Sequence, residues 1–205
     1  MAKVNGLELT VPDFTEQVTT KTPEFLAKFP LGTFPTFESS TGFRMTESNA
    51  IAYHFADSGP KRDQLLGSTI EERALIQNWI FFSELQLEPT FWRVFLWRRG
   101  RTPYVAKTEA SGAALLPGWL HHLEVNLKGK KWLLGDTEGP SLADLTIASV
   151  MFLAYWTYVD AEMRPEYPEI MRWYKQVQAI PELVELFAGE WVEKRIQPPA
   201  EEGKE

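Results

Sequence analysis

The chain has 205 residues, enough for one large domain or two small ones, with 44% hydrophobic and 24% charged residues, an ordinary balance for a globular protein. A net charge of −7 argues against a nucleic-acid surface, which needs a basic stripe, and the lack of cysteine excludes disulfides, thiolate metal sites and a thiol nucleophile. The three histidines, His54, His121 and His122, do not have helical zinc-motif spacing, no apolar run reaches membrane-spanning length and no secretory signal is visible; no metal, no membrane association and a cytoplasmic location are expected.

Residues 1–60 mix short extended pieces with turns. Residues 4–11 alternate as a strand does. Thr22 is placed to cap a short helix opened by Pro23 and carrying Phe25, Leu26 and Phe29. Residues 33–38 and 43–46 predict two strands joined across Ser39-Ser40-Thr41-Gly42 as a hairpin, and 49–56 predict a helix. Residues 58–63 have the composition of a linker.

Beyond the linker almost everything predicts helix. Over 71–87, Leu75, Ile76, Trp79, Ile80 and Ser83 share a face; Leu115, Leu116, Trp119, Leu120, Leu123 and Leu127 form a second stripe, inside which Pro117 is expected to start, kink or break the helix. Arg93, Arg98, Arg99 and Arg101, with Lys107 close by, predict a solvated helix face and loop. Ser141 and Asp144 have the spacing of a capping box ahead of an apolar helix over 145–158, which explains Asp144 without a catalytic role. Pro168 and Pro181 open helices expected to run to 180 and 195, and the polar residues 198–205 are expected to be disordered.

Two runs carry the functional signal. In Gly32-Thr33-Phe34-Pro35-Thr36-Phe37-Glu38, a proline ahead of an extended segment supplies a rigid turn and removes one backbone donor. In Thr46-Glu47-Ser48-Asn49-Ala50-Ile51-Ala52-Tyr53, an acid and a hydroxyl stand where a helix begins, and a helix start offers unpaired N–H groups that favour anions. Together they suggest a surface where an extended, peptide-like ligand lies against backbone with its carboxylate at the helix start. The plainer alternative is that residues 46–48 are simply good helix-start residues.

These runs, with Lys21-Thr22-Pro23-Glu24-Phe25-Leu26-Ala27-Lys28-Phe29-Pro30-Leu31 and Ser141-Leu142-Ala143-Asp144, resemble the glutathione S-transferase family over most of the chain. More narrowly, they are similar to the transferase-like domain of translation elongation factor one-B gamma and to related fungal transferases. The resemblance implies α/β plus all-α architecture: a thioredoxin-like domain over 1–60, an all-helical domain over 61–195 and a disordered tail over 196–205. It implies that the first strand and helix of the thioredoxin-like domain precede Met1, and with them the Tyr, Ser or Cys that ordinarily stabilises the thiolate. Neither Ser48 nor Tyr53 is nominated in its place, and the catalytic residue is left unknown.

The resemblance further implies glutathione as co-substrate. Phe34 would pair with the cysteinyl backbone ahead of a cis Pro35, Ser48 and the first N–H groups of its helix would hold the γ-glutamyl carboxylate, and Glu47 would face the ammonium. Lys21 is a weaker candidate for the glycyl carboxylate, and Glu84 for completing the γ-glutamyl site. Residues 81–97, with Trp156 or Tyr155, would line a pocket for a small apolar electrophile, in detoxification or natural-product biosynthesis. A homodimer is implied. The alternative is a non-catalytic interaction module partnered by elongation-factor subunits.

Overall fold

The structure is a computed structural model, describing residues 1–15 and 18–199. Its N-terminal part begins with a 3-10 turn, Lys3–Asn5, where the sequence predicts a strand. The reason is Asn5. Its side chain is fully buried, donating to the carbonyls of Phe55 and Ala56 at 2.7 and 2.9 Å and accepting from the Lys61 N–H at 2.7 Å. Those bonds fix the turn to the end of a helix more than fifty positions away, and residues 7–15 have no strand partner and no regular structure.

A second 3-10 turn, Thr19–Lys21, leads into α1 (Pro23–Lys28), which Thr22 caps as expected through its hydroxyl and the Phe25 N–H. The hairpin forms with shorter strands than predicted, β1 (Phe37–Glu38) and β2 (Arg44–Met45), antiparallel with Phe37 opposite Met45. α2 (Ser48–Asp57) follows and buries Ile51, Phe55 and Ala56. The expected linker is partly structured: α3 (Arg62–Leu66) starts within it, and Gly59 lies so close to Asn5 that an added Cβ would sit 2.6 Å from it.

α4 (Ile70–Phe82) opens with a capping box between Thr69 and Glu72. Ile76, Trp79 and Ile80 are buried as predicted, whereas Leu75 is exposed. Residues 83–87, expected to continue the α-helix, form a π segment, Ser83–Leu87, closed by the Glu88 N–H on the Ser83 carbonyl; α5 (Glu88–Phe95) continues from it.

α6 (Ala106–Leu127) passes through Pro117 without ending. Pro117 is exposed, so water can serve the carbonyl that the missing N–H leaves unpaired. Packing of α6 on α5 requires Gly112, where an added Cβ would meet Val94 at 2.8 Å. The predicted solvated basic cluster is broken by Arg98, which is buried, forms a two-pronged ion pair with Glu109 at 2.7 and 2.8 Å and donates to the Ile196 carbonyl at 2.9 Å. A buried guanidinium needs such pairing to offset desolvation.

α7 (Leu142–Thr157) is the central helix of the core. Its capping box forms as expected, and the fully buried Asp144 also accepts from the Leu133 N–H and Trp173 Nε1. α8 (Pro168–Gln178) matches its prediction, but the predicted helix over 181–195 is a run of turns followed by a strap. The Val192 N–H bonds the Tyr155 carbonyl at 2.7 Å, and Trp191 stacks on Tyr155 with centroids 4.7 Å apart. Residues 192–196 are thus held against the helices by Arg164, Asp160 and Arg98, so the expected disordered tail is ordered at its start; residues 200–205 lie outside the described residues.

Candidate functional site

The hairpin brings the two functional runs together. Phe37 is opposite Met45, and the chain runs from Pro35 into one strand of this pair and from the other strand out to Glu47 and Ser48. The Phe34–Pro35 peptide bond is cis, the isomer implied by the resemblance. Phe34 is half-exposed and its ring lies 5.1 Å from that of Phe14. Lys21 lies against the same loop, with Nζ 3.5 Å from the Gly32 carbonyl.

Glu47 is the only non-glycine residue with positive φ among the described residues, at φ 68° and ψ 113°. An L-residue rarely adopts this conformation, which costs about 1–3 kcal/mol and concentrates at functional sites. Glu47 occupies the cap position of α2, yet its side chain makes no capping bond, and Ser48 is the first helical residue rather than the cap. This terminus is therefore not capped by a side chain of residues 46–48. Its first intrahelical bond is from the Ile51 N–H to the Glu47 carbonyl, so the N–H groups of residues 48–50 remain directed out of the helix start, beside an exposed Ser48.

Glu84 is brought to this point from the π segment. Its Oε1 accepts a short hydrogen bond from Asn49 Nδ2, and Thr146 Oγ1 of α7 donates to Asn49 Oδ1 at 3.5 Å. Asn49 thereby links the start of α2 to the helical part of the chain.

One turn beyond Glu84, Glu88 borders a cavity of about 390 Å³. Leu145, Phe152 and Leu153 of α7 and Phe187 of the C-terminal turns supply much of its wall, so it is largely apolar. Burial pushes the Glu88 carboxyl above the usual carboxylate range, opposed by the bond it accepts from Trp92 Nε1 at 3.2 Å and reinforced by the negative Glu84 nearby. A second hollow of about 240 Å³ lies across Phe152, walled by Trp156 and Trp191.

Phe34 and Pro35 thus precede one strand of the hairpin, Glu47 and Ser48 follow the other, and Glu84 reaches the start of α2 through Asn49. Of the residues expected at the electrophile pocket, Glu88 from 81–97 and Trp156 line cavities, Tyr155 is core, and Phe81 is exposed. Asn49 and Glu88 were not singled out in the sequence. The partners of Asn49 lie 35 and 97 positions away, beyond any local pattern, and Glu88 is one acid among many until the π segment orients it.

Two family patterns match the chain: "Glutathione S-transferase, N-terminal domain" over residues 3–57 and "Glutathione S-transferase, C-terminal domain" over 96–181. Glutathione S-transferase-like protein LUC7 of Fusarium sp is 40% identical over 91% of this chain and 84% of its own length. Elongation factor 1-gamma of Rattus norvegicus is 30% identical over 84% of this chain, which spans 39% of that protein. Among solved structures, the GST-like domain of elongation factor 1-gamma from Saccharomyces cerevisiae superposes with a TM-score of 0.81 at 27% identity, covering 97% of this chain and 92% of that one.

Proposed function

The chain belongs to the glutathione S-transferase family, with its thioredoxin-like and all-helical parts, and on that premise we propose that it binds glutathione between the cis-proline loop and the start of α2. The observation that carries this reading is the helix start itself: a left-handed Glu47 that caps nothing, an exposed Ser48 and three outward N–H groups, all at the cis-proline end of the hairpin. The γ-glutamyl carboxylate docks on Ser48 and these N–H groups, where charge-assisted bonds and the helix dipole favour it. Glu47 and Glu84 face the adjacent ammonium, Phe34 pairs with the cysteinyl backbone, and Lys21 attracts the glycyl carboxylate.

The bound glutathione gives up its thiol proton to water, and the thiolate attacks an electrophilic carbon of an apolar acceptor held in the cavity beside Glu88. It either displaces a leaving group that departs as its anion, such as chloride, or adds to an activated double bond whose other end takes a proton from water. We read residues 1–60 as the glutathione-binding domain, 61–195 as the acceptor-binding helical domain, and the exposed apolar residues Ile70, Phe81 and Leu85 as part of a homodimer contact. The fungal relatives, named as glutathione S-transferase-like proteins, support the transferase reading, and we read its setting as detoxification or natural-product biosynthesis. The test is conjugation of glutathione to 1-chloro-2,4-dinitrobenzene, followed by absorbance. Turnover that saturates with glutathione is expected; a rate no higher than the uncatalysed reaction overturns the catalytic reading.

The likeness to elongation factor 1-gamma favours a second reading, a non-catalytic interaction module. Under it, the chain co-purifies with elongation-factor subunits; isolation as a free homodimer counts against it.

A further inference from the structure

The cavity beside α7 is mostly apolar, and among its side chains one carboxyl stands out. Two polar side chains border it, Glu88 and Ser149, and the Ser149 hydroxyl is spent on the Thr146 carbonyl at 2.7 Å. Glu88 accepts a single bond, 3.2 Å from Trp92 Nε1 to Oε1, and no cationic side chain forms an ion pair with it among the described residues. The π segment places Glu84 on the preceding turn, where Asn49 holds it, so among the described residues Glu88 is the one carboxyl in the cavity wall, and Met1, whose α-amino group is partly buried, forms no ion pair with it. π segments recur at functional sites because the extra residue re-aims a side chain.

We infer that Glu88 is the specificity-determining group of this cavity, selecting an acceptor that is apolar along its length and carries one amine or ammonium. This deepens the glutathione-transfer reading and rests on it for the word acceptor. The physical case is charge complementarity. A half-buried carboxyl without a counter-charge is costly, and an ammonium brought by the ligand repays that cost through a charge-assisted bond while its apolar body fills the hollow. A neutral hydroxyl repays less, and an anion is repelled by both Glu84 and Glu88. Burial raises the Glu88 pKa, and a bound ammonium would act in the opposite direction by favouring the charged form.

The probes are four naphthalenes of one shape: 1-naphthylmethylammonium, 1-naphthalenemethanol, 1-methylnaphthalene and 1-naphthoate. Their affinities for the whole chain are read by tryptophan fluorescence, with glutathione titrated separately into the same samples. The ammonium is expected to bind at least about tenfold more tightly than methylnaphthalene, as a charge-assisted bond implies, and naphthoate is expected to bind most weakly. In Glu88→Gln, the ammonium preference shrinks to within about threefold while methylnaphthalene binding is unchanged. Equal affinities across the wild-type series, or a preference that survives Glu88→Gln, overturn the inference. Loss of glutathione binding with the amine preference intact overturns the transfer reading and leaves the role of Glu88 standing.

Discussion

Asn49, the second residue of α2, donates from Nδ2 to Oε1 of Glu84 in the π segment, joining the start of one helix to a bulge in another across 35 positions of sequence. The bond orients Glu84 toward the γ-glutamyl end of the proposed site. Replacing Glu84 by Gln keeps an acceptor for Asn49 and removes the charge. Glu84→Gln is therefore expected to melt within about 2 °C of wild type, a change below ~1 kcal/mol for a chain this long. Its glutathione affinity falls severalfold. Asn49→Ala lowers both. Calorimetry of the melt and of binding on the same samples separates the two effects.

Glu47 sets backbone strain against function. Glycine adopts positive φ freely, so Glu47→Gly relieves strain while adding chain entropy to the unfolded state, and the two offset to within ~1 kcal/mol. The expected outcome is an unchanged melting temperature with weakened glutathione binding. A residue serving only the fold would show a large change in stability and none in binding.

Asn5 and Gly59 lock the N-terminal turn to the end of α2. Asn5→Ala orphans two carbonyls and one N–H at about 1–3 kcal/mol for each that stays buried, so a melting temperature lower by roughly 5–10 °C is expected. Gly59→Ala forces a Cβ to 2.6 Å from Asn5 and lowers stability in the same direction. Thermal denaturation by circular dichroism reads both.

Glu88 supplies a pH dependence. Burial raises its pKa in the folded state, so its contribution to stability is fully present below the unfolded value of about 4.3 and is lost as pH rises through the folded value. Against Glu88→Gln, which does not titrate, wild type is expected to lose melting temperature as pH rises from the unfolded value of about 4.3 through the higher folded value. A difference that is flat across this window contradicts the buried setting of the carboxyl.

What was legible in the sequence is what is local. The Ser141–Asp144 box, the Thr22 cap and the Ser39–Gly42 hairpin turn each close within a few residues, and each forms as expected. Three of the failures share one cause, a partner outside the local run. Residues 4–11 are not a strand because Asn5 answers to Phe55 and Lys61, and 181–195 is not a helix because the Val192 N–H is taken by Tyr155. Arg98 is not solvated because Glu109 and Ile196 enclose it. At the site the split is the same. Phe34-Pro35 and Glu47-Ser48 stood out as motifs, whereas Asn49 acquires its role only when the helical part packs against α2.

The most direct test of the central claim is titration of glutathione into the whole chain, wild type against Ser48→Ala, by isothermal calorimetry. The account predicts one-site binding that weakens about tenfold or more in Ser48→Ala, the loss of one hydrogen bond to a charged group, with the melting temperature unchanged. No heat of binding in wild type, or equal affinity in the two proteins, would contradict the placement of the γ-glutamyl carboxylate at the start of α2.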